Sequence, residues 1–348
     1  MKIVVVGDAL VSSNDLEKAA HQLNINENKE VEKFEWYSQL TKDEFQEKIL
    51  EIEKGGSEAV DIPEGICEAL VDADMLLVHI APVSKKMIEA GKNLKFIGAS
   101  RGGMENVAVE AATERKIPVF HVIRNAEPVA DFTVALMYAE TRNIARAHHA
   151  IKEKRWDKAF SNDPYKTTLA NHTIGLIGLG YIGKLVVRRL NGLGVKAIAY
   201  DPFVDIEKLR KEGLDIELKG LEEVFSEADI VSLHMRVTPE TTNMVNDHLL
   251  GLMKPSAYLI NTARAAVVDR EALVKALQNK QIAGAAIDVF WTEPLPENDE
   301  FLSLDNVTLT THIAGDTIDA IPRSPYLLKD VLNDYFEKGY SDMQVNLK

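Results

Sequence analysis

A single cysteine, Cys67, stands among 348 residues, which excludes an intrachain disulfide. It lies in "EGICEAL", a helical turn, and reads as an inert buried thiol. Aromatic residues make up only 7% of the chain, glycine and proline are thinly spread, and there is no internal repeat or low-complexity tail. A fibrous or disordered composition is therefore excluded. Positive charge is in the minority: 40 Lys and Arg face 54 Asp and Glu, a formal net charge of -14. Such a chain repels phosphate backbones, so nucleic acid is not an expected partner. No apolar run approaches membrane-spanning length, so no membrane is expected either. The opening "IVVV" stops at Gly7-Asp8, too soon for a secretory signal, which makes the cytoplasm the expected location.

What is present is a chain too long for one ordinary domain, with 46% hydrophobic residues to build cores. Short apolar runs alternate with helical patterns. The first third offers the strands "KIVVVG", "MLLVH", "KFIGA" and "PVFHV", and a helical stretch over 41–54. The charged "LNINENKEVEKFEW" reads as a solvated face or an edge. A long helix is expected over 127–151, buried on several sides. Six further strand candidates follow, "HTIGLIG", "KAIAY", "DIVSLH", "AYLIN", "AGAAIDV" and "VTLTT", and then a last helical pattern over 316–338. Strand–helix alternation implies α/β architecture with parallel sheets, and six strands suit a doubly wound sheet.

"GLGYIG" places Gly178, Gly180 and Gly183 between the strand "TIGLI" and the helix "YIGKLVVRRLNGLG". The first glycine permits the tight turn, the second lets backbone approach a pyrophosphate, and the third lets helix and strand pack closely. The diphosphate then meets a positive helix N-terminus. Asp201, ending the next strand, stands where a ribose-binding carboxylate belongs, and Pro202-Phe203 supplies no cation for a 2′-phosphate. The expected cofactor is NAD rather than NADP. The N-terminal "IVVVG" lacks the second and third glycines and reads as a different α/β sheet that binds no dinucleotide.

Hydride chemistry on a 2-hydroxy acid needs a cation for the carboxylate and a base for the hydroxyl. Arg264 follows "AYLIN", Glu293 follows "AGAAIDV" and His312 follows "VTLT", all beyond the carboxyl ends of strands where open α/β sheets bind ligands. Arg offers a planar fork to a carboxylate, and His titrates near neutrality. Glu can hydrogen-bond the imidazole, fix its tautomer and favour its protonated form. The plainer alternatives are a surface arginine, a structural histidine and a turn carboxylate before Pro294.

Together "GLGYIG" with Asp201, "LHMRVTPETTNMVN", "LINTARAAVVDREALVKAL", "GAAIDVFWTEP" and "THIAG" resemble the NAD-dependent D-isomer-specific 2-hydroxyacid dehydrogenases, a group that includes phosphoglycerate, glycerate and D-lactate dehydrogenases. The resemblance covers nearly the whole chain and is most specific over 173–315. It implies a Rossmann-type domain, 123–315 with the crossing helix 127–151, inserted into a flavodoxin-like substrate domain, 1–122 and 316–348. It implies Arg264 on the substrate carboxylate and carbonyl, His312 as the acid–base group and Glu293 as its partner. The glutamate counts against formate, since formate dehydrogenases of the superfamily usually carry Gln there.

Around the cofactor the resemblance implies Gly178, Gly180, Tyr181, Ile182, Gly183, Asp201, His234, Thr238, Thr262, Ala263, Asp288, toward the nicotinamide amide, and Gly315. "IGASRGGMENV" resembles the substrate loop, with Gly102 and Gly103 offering N–H groups to the carboxylate and Asn106 at the next helix start. Arg101 has two readings, a contact to a second anionic group of the substrate or a salt bridge at the rim. His79 replaces a common Arg or Thr. Ala265 stands for the usual Gly, Thr311 for the usual Pro and Arg236 for another common Pro, and Arg236 meets either cofactor phosphate or solvent. No metal is implied. Family members are usually homodimers, and the regulatory domain of some phosphoglycerate dehydrogenases is expected to be absent. An NAD-sensing corepressor keeping the same three residues is the rival reading.

Overall fold

The computed structural model describes residues 1–347, which divide into two compact units, Met1–Asn125 with Thr317–Lys348 and Ala126–Asp316. The first unit opens with β1 (Lys2–Asp8), α1 (Ser13–His21), β2 (Glu30–Trp36), α2 (Lys42–Gly55), α3 (Ile66–Leu70), β3 (Met75–Val78), α4 (Lys85–Ala90), β4 (Phe96–Ala99), α5 (Val109–Glu114) and β5 (Val119–Phe120). Its sheet is parallel throughout, in the order β2-β1-β3-β4-β5. β1 is a β-branched run buried on both faces, as the interior of a parallel sheet requires. Ile3 and Val5 face a cluster with Leu328 and Leu332, while Val4 and Val6 face Phe45, Ile49 and Ile66. That alternation is the period-2 geometry of a strand.

Side chains set the helix starts. Ser12 caps α1, and Thr41 with Glu44 forms a reciprocal capping box on α2. The charged "EVEKFEW" is β2, a strand at the sheet edge, where one flank meets water. Cys67 lies in α3, half-buried, with burial raising its thiol pKa.

The second unit runs α6 (Ala126–Thr141), α7 (Ile144–Lys152), β6 (Thr173–Ile177), α8 (Tyr181–Gly192), β7 (Lys196–Tyr200), α9 (Ile206–Lys211), β8 (Glu217–Leu218), α10 (Leu221–Glu227), β9 (Ile230–Leu233), α11 (Asp247–Leu252), β10 (Tyr258–Asn261), α12 (Arg270–Gln278), β11 (Gly284–Ile287) and β12 (Val307–Leu309). The sheet order is β12-β11-β10-β9-β6-β7-β8, again all parallel. This is the doubly wound arrangement, and its winding reverses between β6 and β9, the position where such sheets take a dinucleotide. The two-residue β8 is an edge strand absent from the sequence reading.

Two helices differ from the sequence expectation. The continuous helix over 127–151 is broken: Asn143 adopts a left-handed φ of 56° between the end of α6 and the start of α7. The side chain of Asn143 donates to Asn162 at 2.6 Å, holding the break in place. The last helix occupies Ser324–Lys338 rather than 316–338. Turns fill the preceding residues, with Ser324 N–H donating to the Ile321 carbonyl, and Pro325 suits a helix's first turn but not its interior.

Candidate active site

The loop leaving β6 is shaped by contacts that only glycine tolerates at two points. Gly178 has φ +98°, and a Cβ there would lie 2.9 Å from the His234 carbonyl oxygen. A Cβ on Gly183 would lie 2.3 Å from the Gly178 carbonyl oxygen, so helix α8 can close on the strand only with glycine. At Gly180 a Cβ would meet nothing within 4 Å, so the outer face of the turn is open in front of the α8 N-terminus. Asp201 at the end of β7 accepts from Leu179 N–H at 2.7 Å through Oδ2 and from Phe203 N–H at 2.9 Å through Oδ1. Each oxygen keeps a lone pair for a ribose hydroxyl. An open turn, a helix N-terminus and a positioned carboxylate fit a dinucleotide.

Neighbouring groups frame this loop. Tyr181 and Ile182 form the first turn of α8. His234 is half-buried with Ser232 Oγ 2.9 Å from its Nε2, and burial pushes its pKa down to about 4, so the ring is neutral near pH 7. Thr238 is tied into a turn with Thr241 and Thr242, and the exposed Arg236 receives Thr241 Oγ1 on its carbonyl. Thr262 is buried, with its hydroxyl 2.8 Å from that of Thr133 on α6. Gly315 lies in a turn closed by Asp316 N–H donating to the Ile313 carbonyl.

The three polar candidates converge at the carboxyl ends of β10, β11 and β12. Asn261 shapes the loop after β10: its Oδ1 accepts from Ala263 N–H and its Nδ2 donates to the Arg264 carbonyl, each at 3.0 Å. This leaves Arg264 extended and exposed, with Nη1 donating to the Ala263 carbonyl at 2.6 Å. Ala265 begins a buried 3-10 turn. Glu293 Oε1 accepts from Phe290 N–H at 2.9 Å, and Oε2 lies 2.9 Å from His312 Nδ1. The hydrogen bond from His312, then that from Phe290, holds the Glu293 pKa below the usual carboxylate range, and the charge of Arg264 adds to the effect. Arg264 is thus within electrostatic reach of the pair.

The loop bearing His312 is fixed from below by Asp288. This carboxylate is fully buried and accepts from Thr310 Oγ1 at 2.6 Å, Ile313 N–H at 3.0 Å and Ala314 N–H at 2.9 Å. The resemblance points this residue toward the nicotinamide amide; in the structure its carboxylate takes the Thr310 hydroxyl before His312 and the backbone N–H groups of Ile313 and Ala314 after it. Between them His312 takes φ 57°, and the preceding Thr311 is exposed.

In the first unit, Arg101 lies just beyond β4 and is nearly buried, with Nη2 3.1 Å from Glu105. Gly102 is exposed, and the Glu105 carboxylate lies over Gly103. Asn106 is fully buried, and its Nδ2 donates to the His79 and Ala81 carbonyls at 3.2 and 3.0 Å. It braces the turn after β3, while its Oδ1 is buried and has no hydrogen-bond partner among the described residues. Sequence reading passed over Asp8 and Arg124, both bound to His79; an arginine inside the apolar "FHVIRN" was the available signal. It also passed over the buried Glu140 in α6.

Among known proteins, the family model for the NAD binding domain of D-isomer specific 2-hydroxyacid dehydrogenases matches residues 134–314. A glyoxylate reductase of Thermofilum pendens is 41% identical over 269 residues, 75% of this chain and 77% of that protein. A D-3-phosphoglycerate dehydrogenase of Synechocystis sp. is 38% identical over 270 residues, 75% of this chain and 47% of that protein. The chain spans about half the length of the phosphoglycerate dehydrogenases it matches. A D-lactate dehydrogenase from Sporolactobacillus sp. superposes with a TM-score of 0.63 at 26% identity, over 99% of each chain. The NAD-complexed D-isomer specific 2-hydroxyacid dehydrogenase of Lactobacillus delbrueckii ssp. bulgaricus shares the fold, with a TM-score of 0.69 at 24% identity over 99% of this chain and 100% of that one.

Proposed function

The chain belongs to the D-isomer specific 2-hydroxyacid dehydrogenase family, and on that premise we propose that it interconverts a small D-2-hydroxy acid and its 2-oxo acid with NAD. The observation that carries the reading is the Glu293–His312 hydrogen bond of 2.9 Å with Arg264 beside it, at the same sheet edge as the glycine loop. NAD, when bound, supplies the hydride acceptor at its nicotinamide. Gly178, Gly180 and Gly183 with the α8 N-terminus would hold its pyrophosphate, and Asp201 its ribose, where a second negative charge on a 2′-phosphate would be repelled.

His312 is the acid–base group. Its Nδ1 faces Glu293, so Nε2 is the nitrogen left to take the substrate hydroxyl proton in oxidation and return it in reduction. Glu293, held ionised, favours the imidazolium that forms and fixes the ring's orientation. Arg264 presents its guanidinium to the substrate carboxylate, keeping C2 in line. Asp288 and Asn261 are positioning residues, acting through the His312 and Arg264 loops. Gly102 and Gly103 are assigned to the carboxylate through their N–H groups. The assembly is a homodimer in the cytoplasm. The exposed Ile144 and Ile151 of α7 and Trp156 just beyond it support the dimer.

The test is turnover of a panel of 2-oxo acids with NADH, with His312→Ala beside the parent protein. That substitution lowers kcat by roughly 10²- to 10⁴-fold while the NADH dissociation constant, followed by fluorescence, stays within a few-fold. Undiminished turnover in His312→Ala, or no turnover of any 2-oxo acid by the parent protein, refutes the assignment.

A further inference from the structure

At the carboxyl edge of the first unit's sheet, the ends of β1, β3, β4 and β5 bring Asp8, His79, Arg101 and Arg124 together. Arg124 is half-buried, and its Nη1 meets Nε2 of His79. Arginine only donates, so that nitrogen accepts and the imidazole proton sits on Nδ1, which faces both Asp8 oxygens at 3.0 and 3.1 Å. His79 is therefore neutral. Burial lowers its pKa, against Asp8, and the charges of Arg124 and Arg101 lower it further. Asp8 is an ionised carboxylate that also accepts from Leu10, Val11 and Ile80 N–H groups. Arg124 thus has a hydrogen-bond partner without charge, and among the described residues no carboxylate lies within ion-pair distance of it.

Arg101 adds a second guanidinium. It is 7% exposed, its Nη2 faces Glu105 at 3.1 Å and Glu53 at 3.8 Å, and both carboxylates are themselves exposed. Its Nη1 is buried and has no acceptor. Arg101 and Arg124 repel one another, since Arg101 follows burial as a cause lowering the Arg124 pKa. Arg124 is a shielded cation with no carboxylate beside it, and Arg101, though paired with Glu105, keeps a buried donor unfilled; an anion between them would answer both. The backbone keeps them together: Val122 N–H donates to the Arg101 carbonyl at 3.2 Å, and His121 Nδ1 lies 2.9 Å from the Gly102 carbonyl. The exposed Gly102 leaves an approach open.

We propose that Arg124 and Arg101 form a binding site for an oxyanion, a phosphate or carboxylate group, within the first unit. The planar fork of each guanidinium matches either group. His79, anchored by Asp8, sets the direction of Arg124 without cancelling its charge. The anion is either a second charged group on the substrate or a free ion, and the proposal stands apart from the activity proposed above.

The experiment has two arms. In the first, sodium phosphate is titrated by calorimetry into the full chain at constant ionic strength with saturating NAD, which covers the glycine loop. Arg124→Gln raises the phosphate dissociation constant roughly 10- to 100-fold, the loss of a charge-assisted pair, and Arg124→Lys, which keeps the charge, by less than that. Thermal melts check that both variants fold. In the second arm, kcat/KM is compared for a 2-oxo acid with a second anionic group and for one without. A preference for the doubly charged acid that falls in Arg124→Gln identifies the anion as part of the substrate. Phosphate binding lost in Arg124→Gln without such a preference identifies a free ion. The site is overturned if the parent protein neither binds phosphate at millimolar concentration nor prefers the doubly charged acid, or if Arg124→Gln alters neither. A failure of the dehydrogenase reading appears separately, as an absence of turnover alongside intact phosphate binding.

Discussion

His312 gains its role from its neighbours. Glu293 occupies Nδ1 at 2.9 Å, and its own second oxygen is taken by Phe290 N–H, so the carboxylate can neither rotate away nor lose its charge easily. Its lowered pKa keeps that charge present throughout the neutral range. In Glu293→Gln the amide oxygen still accepts from Nδ1, but the charge that favours the imidazolium is gone. Turnover falls, by less than the roughly 10²- to 10⁴-fold that a positioned acid–base group contributes. Comparison of kcat for both proteins reads this. Undiminished turnover would mean that Glu293 only props the ring. At this scale the sequence was informative where chemistry is local. The glycine loop shows its strand, turn and helix in one continuous stretch. It was uninformative where the partner is remote: Asp8 and His79 are 71 positions apart and His79 and Arg124 are 45 apart, brought together only by strand order.

Among the elements, α6 carries a buried acid that governs stability. Glu140 is 1% exposed, yet it pairs with Arg146 of α7 at 2.6 Å and accepts from Thr308 of β12 at 2.6 Å. Burial, only partly offset by Arg146 and Thr308, pushes its pKa up to about 7. The folded value lies above the ordinary 4.5, so between these pH values the folded chain holds more protons than the unfolded one. Stability from this group is complete below about pH 4.5 and declines as pH rises toward 7. Glu140→Gln removes that decline. Urea unfolding at pH 5 and pH 7.5 should show the parent losing up to about 3 kcal/mol more across the interval than the variant; equal losses would show that Glu140 ionises freely. The helix break beside it was illegible in the sequence because the apolar pattern runs on through Asn143. What stops the helix is one left-handed residue, together with pairings such as Glu140 to Thr308, 168 positions away.

For the whole molecule, the two sheets were readable from buried β-branched runs; β2 was legible only as a charged face or edge and β8 not at all, since an edge needs no continuous apolar run. Ile144, Ile151 and Trp156 are 56%, 51% and 77% exposed, a larger apolar face than a lone surface leucine would need explaining. If that face joins two copies, Ile151→Glu converts the dimer to monomer in sedimentation analysis; an unchanged sedimentation coefficient places the interface elsewhere. The closing of the first sheet has a different consequence, one for how the chain is made. Ile3, Val5 and Phe120 are covered by Leu328 and Leu332, and β5 also receives Val345 N–H on the Val119 carbonyl. Synthesis therefore delivers the sheet roughly 200 residues before its cover, about 10–40 s at ribosomal rates. The whole of Ala126–Asp316 emerges in that interval as one uninterrupted stretch. The first unit's sheet is thus made before the second unit and covered after it, and in between it carries an uncovered apolar face that a chaperone can bind.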